Sequence, residues 1–189
     1  MPNFKIYLAG PEVFLPEFGA SVFKEKKAMC VEFGFEGVSP MDGESAVEAL
    51  TPFAQGVAIY RGNVAHMNRC DAVIANMTPF RSVSTDPGTA FEMGYMAALG
   101  RPVLGYTHVA APFHQRSTRY YEHGRSDLLE TYSLGTTAER FDMPDNLMMV
   151  GAVDLAGFCV QQVEVAEGEE LTSVAGFRKC LEELSTRQK

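Results

Sequence analysis

Apolar positions along this chain fall into short unbroken runs, divided by segments in which they recur at helical spacing. Residues 4–9 form a compact run rich in strand formers that stops at Gly10-Pro11, a turn signal. Residues 19–33 carry Val22, Phe23, Met29 and Val31 at helical spacing, with Lys24, Glu25, Lys26 and Lys27 on the wet side. A short second strand is predicted over 35–38. Thr51-Pro52 opens a helix running to about residue 69, because Thr caps well and Pro suits the first helical position. The run Asp71-Ala-Val-Ile-Ala-Asn76 predicts a strongly apolar strand, and residues 79–85 a polar loop. Asp86-Pro87 opens a third helix that ends near Gly100, and residues 103–106 predict a further strand. Past that point periodicity weakens. Residues 108 to about 145 mix His, Arg, Tyr, Ser and Gly, as in a long loop or lid with short helical pieces. An apolar helix starts over 145–151, and 172–186 predicts a closing amphipathic helix.

Apolar strands that do not alternate, separated by helices, indicate a parallel sheet covered on both faces. The expected fold is α/β: a flavodoxin-like, doubly wound parallel sheet of about five strands flanked by helices. It is read as a single domain over 1–189, with 108–143 as a loop or lid insertion. In such a sheet the ligand crevice lies beyond the carboxyl ends of the strands. That directs attention to Tyr7, Gly10, Pro11, Asp71 and the loop from Asn76 to Asp86.

Composition narrows the chemistry. Hydrophobic residues make up 46% and charged residues 21%, which excludes a disordered chain. Lys and Arg number 16 against 24 Asp and Glu, for a net charge of -8. That argues against tracking a nucleic-acid backbone or an anionic membrane, and leaves a small neutral ligand open. Cys30, Cys70, Cys159 and Cys180 show no metal-ligand spacing and read as reduced, buried thiols. His66, His108, His114 and His123 form no metal motif, so no metal is expected. No apolar run approaches the ~20 residues needed to span a bilayer, and the start is too short and weakly charged for a signal peptide. A cytoplasmic protein is expected.

Glu92 is the only charged side chain between Asp86 and Arg101, and its neighbours are Phe91, Met93, Tyr95, Met96 and Leu99. A helix apolar nearly all round is expected to be buried nearly all round. A carboxylate there needs a polar cleft, a donor or a job; otherwise it faces the one wet stripe of the helix. Gly88 lies one turn before Glu92 on the same face, where a missing side chain would let a ligand approach. Gly94 is explained equally by close packing. Asp86 suits the helix N-cap at the mouth of the crevice. Asp71 is either a strand-edge turn residue or an acid pointing into the crevice. Tyr7 is either core or a hydroxyl satisfied at one end.

Together these residues resemble the nucleoside 2-deoxyribosyltransferase family across the N-terminal two-thirds of the chain. The matching pieces are Lys5-Ile-Tyr-Leu-Ala-Gly-Pro-Glu-Val-Phe14, Cys70-Asp-Ala-Val-Ile-Ala-Asn76, Pro79-Phe-Arg81, Thr85-Asp-Pro-Gly-Thr-Ala-Phe-Glu-Met-Gly94 and Pro144-Asp-Asn-Leu-Met148. The resemblance implies transfer of 2-deoxyribose between nucleobases, with Glu92 attacking the anomeric carbon to form a deoxyribosyl-enzyme ester. It implies that Tyr7 orients Glu92, Asp71 hydrogen-bonds the base and moves its proton, and Asp86 holds the sugar hydroxyls. Gly10 and Gly88 would then border the substrate. It implies no cofactor. It also implies a homo-oligomer in which Asn146 and Met148 complete a neighbour's site, although Asn146 is equally an N-cap. Arg81 and Asn63 match without an assigned role. Residues 108–143 depart from the pattern; their Arg116, Arg119, Tyr120, Tyr121, His123 and Arg125 form either a solvated loop or a lid that shapes the base pocket or grips a phosphate. Two alternatives remain. One is hydrolysis of deoxynucleoside 5′-monophosphates, with Arg81, Ser82, Ser84 and Thr85 as phosphate contacts. The other is a non-catalytic nucleotide sensor.

Overall fold

The computed structural model describes residues 4–43, 51–122 and 139–188. Five strands form one all-parallel sheet: β1 (Lys5–Ala9), β2 (Glu36–Val38), β3 (Ala72–Asn76), β4 (Val103–Thr107) and β5 (Gln161–Gln162). Their order is β2-β1-β3-β4-β5. The described helices are α1 (Ala20–Glu32), α2 (Pro52–Asn68), α3 (Pro87–Ala98), α4 (Phe113–Glu122), α5 (Leu147–Leu155) and α6 (Ala175–Arg187). Two 3-10 turns, Pro11–Phe14 and Pro16–Gly19, join β1 to α1. This is the doubly wound sheet that the sequence pattern leads one to expect.

Every residue of β3 and β4 is buried, which is why both read as unbroken apolar runs. α1 and α6 pack on one face, and α3 and α5 on the other. Ile6, Leu8, Ile74 and Leu104 are among the fully buried side chains between them. Each stabilises the fold by roughly 1.5–3 kcal/mol. The helix starts follow local chemistry. Thr51 accepts from the Ala54 N–H at 3.3 Å, and Asn146 from the Met148 N–H at 3.0 Å. Pro occupies the first turn of both α2 and α3.

Three readings are corrected. Lys26, placed on the wet side by periodicity, is fully buried because it pairs with the buried Glu12; Val31 on the same helix is exposed instead. Cys159 is exposed, whereas Cys30, Cys70 and Cys180 are buried. Burial pushes the Cys30 and Cys70 thiols up to about 12, which leaves them inert. α3 is not buried all round: Phe91 and Leu99 are exposed on its outer face. α4 is one of the short helical pieces expected after residue 108, while His123 and Arg125 lie outside the described residues. β5 escaped sequence reading because two glutamines carry no strand signature. Among the described residues no helix is long and apolar enough to cross a membrane.

Candidate active site

Strand order reverses at β1, which has β2 on one side and β3 on the other. The chain therefore leaves β1 and β3 in different directions, and a crevice opens at their carboxyl ends. A cleft of about 650 Å³ lies there. That volume is within the range of small-molecule sites. The turn after β1 supplies Gly10, Val13, Phe14 and Phe18, and the segment after β2 supplies Met41 and Asp42. α2 supplies Ile59, Asn63 and His66, and the start of α3 supplies Asp86, Gly88, Thr89 and Glu92.

Glu92 is 9% exposed. The Tyr7 hydroxyl donates to its Oε1 at 2.7 Å. Tyr7 is central in β1, paired with Val38 on one side and Val73 on the other, so its ring is locked by the sheet. Burial raises the Glu92 carboxyl to about 7; the Tyr7 hydrogen bond lowers it, and the charges of Asp86 and Glu12 raise it further. Tyr7 is itself held far above its ordinary value by burial and by the Glu92 charge, so it stays a donor. The Glu92 carboxylate thus has one oxygen tied to Tyr7, and no protein donor reaches the other among the described residues.

Asp86 Oδ2 accepts from the Gly88 N–H at 2.9 Å and the Thr89 N–H at 3.2 Å, capping α3 as its sequence suggests. It lines the cleft as well. Gly88 also borders the cleft, and a Cβ there would come within 2.9 Å of Asp86 Oδ2. Gly94, by contrast, faces open space, which removes close packing as its explanation.

Asp71 is not in the cleft. It sits at the amino edge of the sheet, where Lys5 N–H donates to its Oδ2 at 2.8 Å. The cleft lies past Asn76, five residues and roughly 16 Å along the strand. An acid that starts a strand lies at the end opposite the crevice, so the proton-handling role expected of Asp71 is not available to it. Asn146 and Met148 do not face Glu92 within one chain either. They border a separate groove with Ala90, Met93 and Gly94, and Met148 is 74% exposed. The hydroxyls considered for a phosphate are committed elsewhere. Ser84 and Thr85 donate to the buried Asp145, and Ser82 donates to the Ser84 carbonyl. The Arg81 guanidinium stacks on Phe14 and Phe80, 4.5 and 4.7 Å from their centroids. Arg116 is neither solvated nor free to grip a phosphate. It donates to the Val83, Ala111 and Pro144 carbonyls.

Sequence reasoning passed over several lining residues. Asn63 matched the family pattern without a role. Asp42, His66 and Thr89 gave no signal, because neither periodicity nor spacing distinguishes a cleft-facing polar residue from a surface one. Partial burial works against the Asp42 charge, but hydrogen bonds from Lys27 and Ser39 hold its carboxyl below the ordinary range. Burial and the adjacent Arg69 lower His66, so it is neutral near pH 7. The Thr89 hydroxyl is buried with no hydrogen-bond partner.

Known proteins share this arrangement of chain. The model of the nucleoside 2-deoxyribosyltransferase family matches residues 6–148. An uncharacterized protein of Schizosaccharomyces pombe is 38% identical over 127 residues, which cover 66% of this chain. The chain spans only 60% of that relative's length. A solved 2-desoxiribosyltransferase from Leishmania mexicana aligns over 93% of this chain and 97% of its own, with 29% identity and a TM-score of 0.60. A conserved protein from Enterococcus faecalis V583 shares the fold, with a TM-score of 0.54 at 16% identity, over 96% of this chain and 99% of its own. The span matched by the family model runs from β1 to the first turn of α5 and takes in Tyr7, Gly10, Asp86, Gly88 and Glu92, the residues that meet around the buried carboxylate. By that match this chain belongs to the nucleoside 2-deoxyribosyltransferase family.

Proposed function

We propose that this protein transfers 2-deoxyribose from one nucleobase to another through a deoxyribosyl ester of Glu92. The observation that carries this reading is the buried Glu92 carboxylate, held by the Tyr7 hydroxyl at 2.7 Å in a cleft whose opposite parts are apolar. The oxygen not held by Tyr7 attacks the anomeric carbon as the bond to the base breaks. The ester forms, and the departing base takes up a proton from water. A ring nitrogen of a second base then attacks the same carbon and gives its proton to water, the ester bond breaks and the carboxylate is restored. Two inversions retain the configuration. Tyr7 keeps the carboxylate in one orientation through both steps, which supports the geometry of each attack. The raised proton affinity of Glu92 makes it a stronger nucleophile once ionised.

The cleft supports a division of labour. Asp86 accepts from the sugar hydroxyls, with the Thr89 hydroxyl beside it. Phe14, Phe18, Met41 and Ile59 offer apolar surface to a flat base, and Asn63 and His66 offer polar contacts to its edge. Among the described residues no Lys or Arg lines the cleft, whereas Asp42, Asp86 and Glu92 do. This balance favours an uncharged nucleoside over a phosphorylated one. Asn146 and Met148 are assigned to the cleft of a neighbouring copy, since Met148 is exposed and both border a groove apart from Glu92 on their own chain.

Incubation with deoxyinosine and free adenine tests the reaction. The expected product is deoxyadenosine. Release of hypoxanthine without a new nucleoside would instead make the protein a hydrolase, and binding without turnover would make it a sensor. Glu92→Ala is expected to lose at least about a thousandfold in rate, ~4 kcal/mol of barrier. A loss below about tenfold is too mild for a nucleophile. Trapping with a fluorinated nucleoside and mapping the adduct by mass spectrometry should place the sugar on Glu92.

A further inference from the structure

Behind the cleft lies a buried charged cluster that the mechanism above does not use. Glu12, on the 3-10 turn after β1, and Lys26, on α1, are both fully buried and form an ion pair. The same Glu12 oxygen, Oε1, also accepts from Asn76 Nδ2 at 2.8 Å and from the Tyr106 hydroxyl at 3.2 Å. Lys26 Nζ lies 5.4 Å from the Tyr106 ring centroid and 5.3 Å from that of Phe177. Residues from α1, β3 and β4 therefore converge on one carboxylate of the turn after β1.

Its other oxygen is different. Glu12 Oε2 is buried and has no hydrogen-bond partner. It fills the space where a side chain at position 10 would begin: a Cβ on Gly10 would lie 2.0 Å from it. Gly10 is itself a wall of the cleft that holds Glu92. One residue of backbone separates this unpartnered oxygen from the substrate space. A buried ion pair is weak evidence of a stabilising role, because desolvation offsets its attraction, and hydrophobic replacements are often neutral or better. Three donors crowded on one oxygen, with the second left without a partner behind Gly10, fit a carboxylate retained for its effect on the cleft.

We propose that Glu12 is a positioning residue for this active site: its unpartnered oxygen backs the cleft wall at Gly10, and its carboxylate acts on Glu92 from behind that wall. The inference rests on Glu92 as the nucleophile. Negative charge at Glu12 disfavours ionisation of Glu92, as does Asp86 at the N-cap of the same helix; the Tyr7 hydroxyl from β1 acts the other way. Across the cleft stand Asp42, paired with Lys27 of α1, and His66 of α2. None of these partners is altered in the test.

The test is the pH profile of kcat/KM for deoxyribosyl transfer in three proteins: the parent, Glu12→Gln, and the doubly neutral Glu12→Gln/Lys26→Met. The double variant leaves no unpaired buried lysine and remains informative if the single variant does not fold. With the Glu12 charge gone, Glu92 ionises more readily, so the acid limb is expected to move to lower pH in both variants. Loss of stability alone would lower the amplitude and leave the limb in place. A limb at the parent's pH in folded variants overturns the proposal. A parent with no acid limb, or Glu92→Ala with substantial turnover, would overturn the nucleophile reading instead.

Discussion

Glu92 must give up its proton to act, and the fold makes that costly. Its carboxyl sits at about 7 in the folded chain because burial disfavours the charge, whereas an unfolded glutamate ionises near 4.5. Below about pH 4.5 the residue is neutral in both states. As pH rises toward 7 the unfolded chain ionises first, so stability falls across that window, and the cost is complete above it. Glu92→Gln lacks this cost. Relative to the parent it should gain on the order of 3 kcal/mol more at pH 8 than at pH 4 in urea unfolding. An equal difference at both pH values would show that the folded chain does not perturb Glu92. This residue was legible in the sequence because it is a lone charge in an apolar helix. Lys26 was not: four polar residues in a row hid the one that turns inward to Glu12. Asp71 was misread for another reason. It starts its strand, at the end opposite the crevice, and only the resemblance placed it in the site.

At the scale of elements, the loop before α3 is held by Asp145. That carboxylate is buried and accepts from the Thr85 N–H at 3.0 Å, the Thr85 hydroxyl at 3.1 Å, the Ser84 hydroxyl and the Asn146 N–H at 2.7 Å. Arg116 of α4 reaches the same group at 3.4 Å. Asp145 thereby joins the segment that delivers Asp86 to the cleft to the segment that starts α5 at Asn146. Asp145→Ala strands Arg116 and several donors, and should cost about 3–5 kcal/mol in thermal or urea unfolding. A cost under about 1 kcal/mol would show that the clasp is dispensable. The caps at Thr51, Asp86 and Asn146 were readable because capping is local. The clasp was not, because its partners are 29 to 61 residues apart in the chain.

At the scale of the whole molecule, α3 and α5 present an apolar surface among the described residues. Phe91 and Leu99 on α3 are 48% and 43% exposed, and Met148 and Leu155 on α5 are 74% and 91% exposed. Between the helices runs a groove of about 680 Å³ bordered by Gly94, Ala97, Gly151 and Leu155. Together with the placement of Asn146, this surface supports a second copy docked against α3 and α5. Mixing inactive Glu92→Ala with inactive Asn146→Ala should restore part of the exchange activity once subunits have exchanged, since one mixed site is then intact. Leu155→Glu should lower the sedimentation coefficient and abolish that recovery. No recovery despite verified subunit exchange would place Asn146 outside the catalytic unit. Hydrophobic periodicity and capping, both properties of neighbouring residues, were enough to establish the parallel α/β sheet, its helix starts and the isolation of Glu92. The tertiary structure alone decided that Tyr7 holds Glu92 and that Glu12 and Lys26 are buried behind Gly10. Those facts depend on which strand ends and helix faces meet in space, and no local pattern along the chain encodes that.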